Sequence, residues 1–121
     1  MSALTRVVLQ LSRNPGFPDG DMYQGYVITA PLGADGKLNV DLWKNHKKQC
    51  IVVRYGNHDE DKADGILDHR GDKWFFTYDE VREGPDEDVY HLGDHRLWVG
   101  DYVTIADRDG ESLIYVVSET N

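Results

Sequence analysis

Tyr102-Val103-Thr104-Ile105-Ala106, then Asp107-Arg108-Asp109-Gly110, then Leu113-Ile114-Tyr115-Val116-Val117: this stretch decides the fold. Two β-branched runs flank a polar turn that ends in glycine. Aspartates hydrogen-bond their own backbone in turns and glycine accepts positive φ, so the pattern is that of a β-hairpin. Gly100-Asp101 leads the chain into it. Further back, Gly65–Arg70 and Lys73–Tyr78 flank Gly71-Asp72, a second hairpin with a two-residue turn.

Toward the N-terminus the strand signal continues. Val7, Leu9 and Leu11 alternate with Arg6, Gln10 and Ser12, the period of a half-buried strand. Asn14-Pro15-Gly16-Phe17-Pro18-Asp19-Gly20 breaks that period with two prolines and two glycines, which makes a loop. Tyr23 to Ala30 is a second strand, with Tyr26, Ile28 and Ala30 on one side. Gly33-Ala34-Asp35-Gly36 turns the chain. Asn39 or Asp41 is placed to cap a short helix carrying Val40, Leu42 and Trp43, with Lys44, His46, Lys47 and Lys48 near its C-terminus, where the helix dipole favours cations. Cys50-Ile51-Val52-Val53-Arg54-Tyr55 is nearly continuous in its hydrophobicity and reads as a central strand covered on both faces.

These elements predict a mainly-β chain: a small, partly open β-barrel or sandwich of seven or eight short antiparallel strands, with one short helix near residues 40–48. At 121 residues the chain fits one domain, 1–121. An apolar fraction of 40% supports a packed core and sets the chain apart from disordered compositions.

Charge and cysteine narrow the function classes. The formal net charge is −9, from 22 acidic against 13 basic residues. Such a surface repels phosphate backbones, so nucleic acid is not an expected partner. The basic cluster of Lys44, Lys47 and Lys48 around His46 is too small to reverse that balance. The acidity is concentrated in Asp59–Asp64 and in Asp79–Asp88, and a basic protein segment is the partner it favours. A single cysteine, Cys50, excludes an internal disulfide and a cysteine-based zinc finger. The opening Met-Ser-Ala-Leu-Thr-Arg lacks the features of a signal peptide and apolar runs are short, so a cytoplasmic location and no membrane are expected.

No nucleotide loop, metal cage or nucleophile motif marks a reaction, so no catalytic or cofactor-binding residue is assigned. The best cluster for chemistry is His69, His91 and His95 with Asp94. If the strand Gly65–Arg70 pairs near His91–Leu97, these imidazoles and a carboxylate converge as a first shell for a divalent transition metal such as zinc, iron or manganese. Spacing argues against it: His-x-x-x-His aligns two rings only on a helix, and Gly93-Asp94 favours a turn. Histidines bonded to turns are the plainer reading. Asp68-His69-Arg70 recurs as Asp94-His95-Arg96, which reads as repeated turn chemistry. The acidic runs lack the calcium-loop glycine, and Arg70-Gly71-Asp72 is simply the hairpin turn. Cys50 reads as a small buried hydrophobe with a raised pKa. Trp74, Phe76 and Tyr78 share one face of their strand, with Trp98 and Tyr102 close by in sequence. They form either the core, packed on the helix of Trp43, or an exposed aromatic surface for a ligand or partner.

At Leu4–Leu11, Asn14–Gly20, Gly71–Tyr78 and Val89–Arg96 the chain resembles small proteobacterial single-domain proteins of unassigned activity. The resemblance implies a bacterial protein and carries no functional residues with it. Two functions are therefore expected from the sequence. The first is a non-enzymatic binding module with an acidic surface. The alternative is a metal-binding β-barrel, or metal-dependent enzyme, using the histidine cluster.

Overall fold

The computed structural model describes residues 4–56, 63–71, 73–78, 87–90, 96–106 and 112–120. Eight strands follow one another: β1 Thr5–Leu11, β2 Asp21–Ala30, β3 Ile51–Tyr55, β4 Ala63–Arg70, β5 Lys73–Tyr78, β6 Glu87–Tyr90, β7 Tyr102–Ala106 and β8 Ser112–Thr120. Each is antiparallel to the next, and β8 returns to β1, where Val7 pairs with Thr120 and Leu11 with Tyr115. Of barrel and sandwich, the barrel is realised, and its ladder closes. Closure removes the exposed sheet edges that invite pairing with other chains. At β6 the described ladders hold Phe75↔Asp88 and Phe76↔Glu87 on one side and Val89↔Ile105 and Tyr90↔Thr104 on the other.

Alternation sorts the strands into an inside and an outside. Val7, Leu9 and Leu11 of β1 face inward with Tyr26, Ile28 and Ala30 of β2, as their period predicts. Across the interior the Tyr26 ring lies 5.1 Å from Phe76 and 5.2 Å from Tyr115, the latter edge to face. Burial of each such side chain is worth roughly 1.5–3 kcal/mol, which makes this interior the main source of stability. Strand β3 departs from expectation. Cys50 and Val52 are buried, but Ile51 is 45% exposed beside Ile66, its partner on β4. A barrel wall has one inner and one outer face, and among the described residues no helix covers β3 on the outside, which leaves Ile51 exposed there.

The helix α1, Val40–Asn45, forms where the capping residue stands. The Asn39 side chain accepts the Leu42 N–H at 2.9 Å, satisfying a first-turn donor. Only six residues are α-helical; Lys47–Gln49 continue as a 3-10 turn. Trp43 is the buried residue of α1, and its Nε1 donates to the Leu67 carbonyl of β4 at 2.9 Å. Its ring stands edge-on to Trp74 at 5.9 Å. The helix thus fastens to the barrel wall through Trp43, with Val40 packed against the same core.

The loop of residues 12–20 is tied to the barrel by a buried amide. Asn14 Nδ2 donates to the Ser12 and Ile114 carbonyls at 2.8 and 3.0 Å, and its Oδ1 accepts the Ile114 N–H at 2.8 Å. The side chain stands in for a strand neighbour just where β1 ends beside β8.

Candidate partner-binding surface

The aromatic residues expected to form either core or surface separate cleanly. Trp74 is 5% exposed and Phe76 is fully buried, which corrects the surface reading for both. The hairpin register is the reason: His69 pairs with Trp74 and Leu67 with Phe76, so both rings share the inner face with buried Leu67. The Tyr78 side chain lies outside the described residues. Trp98 is 48% exposed and stands on the surface.

What holds Trp98 is a turn built on backbone bonds. Asp101 N–H donates to the Trp98 carbonyl at 2.9 Å, closing a four-residue turn whose third residue, Gly100, has φ of 96°. Glycine accepts that angle without steric cost, as a type II turn requires. The turn is bolted at both ends. Leu97, fully buried, donates its N–H to the Gly36 carbonyl at 2.8 Å. Gly100 N–H donates to the Val117 carbonyl, and Val117 N–H donates to the Asp101 carbonyl, at 2.9 and 2.8 Å. The Trp98 indole lies directly on Gly36, where a Cβ would stand 2.1 Å from Nε1. Any side chain at position 36 therefore displaces the ring.

Around this anchor the outer surface is apolar. Val99 and Tyr102 are each 62% exposed, and Tyr102 pairs with Val116 across β7 and β8. Two residues along the same face, exposed Ile114 pairs with Thr104. Arg96 lies over the Trp98 ring, its guanidinium carbon 4.2 Å from the centroid, and its Nε donates to Asp101 Oδ2 at 3.2 Å. The same oxygen accepts the Trp98 N–H at 3.2 Å. The sequence pointed to Trp98 and Tyr102 but not to Arg96, Val99, Asp101 or Ile114. Inward-facing Val103 and Ile105 would have placed Tyr102 outside by alternation; the turn residues carry no such period.

The histidine cluster is seen only in part. His91, Asp94 and His95 lie outside the described residues. Among the described residues strand β4 has β3 and β5 as its neighbours. The His69 ring packs 4.5 Å from Trp74 and 5.6 Å from Trp43, and its backbone N–H donates to the Asp68 carboxylate at 2.9 Å. Among the described residues no group of three histidine, cysteine or carboxylate side chains is gathered to hold a metal.

Two other titratable groups are explained by packing. Burial pushes the Cys50 thiol up, away from the reactive thiolate, as its apolar strand implied. Burial and then the charge of Asp21 raise the Tyr55 phenol, whose hydroxyl donates to the Leu9 carbonyl at 2.9 Å. Lys44, Lys47, Lys48 and His46 line an open hollow of about 500 Å³ beside the helix. Among the described residues, no helix is long and apolar enough to cross a membrane. Comparison of the chain with family models, with curated proteins and with solved structures finds no match.

Proposed function

We propose that this chain is a non-enzymatic binding module that holds a basic protein segment against the shelf formed by Trp98, Val99 and Tyr102. One observation carries the reading: Trp98 and Val99 on a turn tied down by backbone hydrogen bonds, and Tyr102 at the start of β7, stand 48–62% exposed. Large aromatic groups are costly to leave in water, and rigid ones lose little entropy on binding, so such surfaces favour partners. The net charge of −9 supplies the sign of the partner. Long-range attraction brings a cationic segment to the surface, and the aromatic shelf retains it.

The test is fluorescence anisotropy of the full chain with a labelled arginine- and lysine-rich peptide. Binding is expected at low ionic strength, weakening as salt rises. Trp98→Ala is expected to weaken it about tenfold or more, the loss typical of an interface hot spot. Absence of binding at low salt, or binding indifferent to Trp98→Ala, would overturn the reading.

A further inference from the structure

Trp98 and Asp101 together present the two groups that recognise a guanidinium, an aromatic face and a carboxylate. In the free chain Arg96 fills that position, 4.2 Å over the ring and 3.2 Å from Asp101 Oδ2. Its hold is light. The Arg96 side chain is over half exposed, and exposed ion pairs and cation–π contacts are individually weak. The frame beneath it is not light. Asp101 stays bonded to the Trp98 backbone in both directions, and Leu97 is buried and tied to Gly36. The bonds that place the Trp98 backbone and the Asp101 carboxylate include ones that do not involve the Arg96 side chain.

We propose that Trp98 and Asp101 form a guanidinium-binding site which Arg96 occupies in cis, and that an arginine of a basic partner segment takes its place. The proposal rests on the function proposed above and gives it a specificity. Guanidinium is planar and weakly hydrated, so it stacks on indole and pairs with a carboxylate at once, whereas an ammonium is a compact, strongly hydrated point charge. Arginine-rich segments are therefore favoured over lysine-rich ones of equal charge. Arg96 acts as a resident competitor that sets the affinity low until a partner arrives.

The experiment compares the wild-type chain with Arg96→Gln, using fluorescein-labelled Gly-Arg and Gly-Lys repeat peptides of equal length. Circular dichroism verifies that each variant is folded. Removing the competitor is expected to tighten binding of the Gly-Arg peptide about three- to tenfold, the range that a weak exposed contact allows. Adding Asp101→Asn or Trp98→Ala to Arg96→Gln is expected to abolish the preference for Gly-Arg over Gly-Lys. If Arg96→Gln leaves the affinity unchanged or lowers it, the guanidinium site is overturned. In that outcome a wild-type affinity still lost on Trp98→Ala leaves the binding-module reading standing. If neither chain binds either peptide at low salt, both proposals fall.

Discussion

Trp74 and Trp98 are the same residue in opposite situations. Trp74 sits on the inner face of β5, 5% exposed, with Trp43 and His69 against its ring. Trp98 sits on a turn, 48% exposed, with Gly36 beneath it and Arg96 across it. The first is held by the exclusion of water and stabilises the barrel by being there. The second is held by a framework of backbone hydrogen bonds that closes without it. A tryptophan positioned by backbone but left half in water keeps apolar area for another surface. This contrast separates the part of the molecule that makes the fold from the part available to a partner.

The contrast breaks first, if it breaks, at the interior. Phe76 is fully buried and contacts Tyr26 at 5.1 Å, so Phe76→Ala deletes a ring from a closed barrel that has little freedom to collapse around the hole. The expected loss is about 3–5 kcal/mol, measured by urea or guanidinium denaturation. A loss under about 1 kcal/mol would mean that the interior is not packed as a core, and the distinction between the two regions would dissolve.

Trp43 sharpens the same side of the comparison. Trp43→Phe keeps an aromatic ring against Trp74 and His69 but removes the Nε1 donor, leaving the Leu67 carbonyl without that bond. An abandoned buried acceptor costs about 1–3 kcal/mol, and this substitution is expected to fall in that range by the same denaturation measurement. An unchanged midpoint would show α1 to be an appendage whose fastening does not matter to the barrel.

Much of the fold was legible in the sequence where period or turn chemistry spoke locally. Strand β1 alternates strictly, Asn39 caps its helix, and the hairpin of β4 and β5 closes with Arg70 opposite Lys73. Closure of the barrel was not legible, because it joins the two ends of the chain: Asn14 meets Ile114 100 residues away, and no local pattern reports such a contact. Strand β3 shows no inside-outside phase in the sequence because Ile51-Val52-Val53 is apolar at every position. The aromatic strand was ambiguous for a related reason. Trp74, Phe75 and Phe76 are all apolar, and only the register against Leu67 and His69 decides which rings turn inward. Trp98 lies outside any strand, so its exposure follows from a turn anchored on Gly36, some 60 positions earlier, which periodicity does not reveal.

The smallest expected effect is also the one on which the comparison depends most. Trp98→Ala removes a side chain as large as Trp74, yet the bonds that position residue 98 come from its backbone: its carbonyl accepts from Asp101 and its N–H donates to the Asp101 carboxylate. Alanine keeps both. Leu97 remains in the core, and the Leu97 N–H still reaches Gly36. What disappears is the half of the ring that rests on Gly36 and under Arg96, so the expected loss is about 1 kcal/mol or less, near the range of ordinary surface substitutions. Paired denaturation curves of Trp98→Ala and Phe76→Ala measure the difference directly. A Trp98→Ala loss above about 3 kcal/mol would make Trp98 a structural residue like Trp74. Any drop in peptide binding by that variant would then report damage to the fold, because the ring would be needed by the barrel itself.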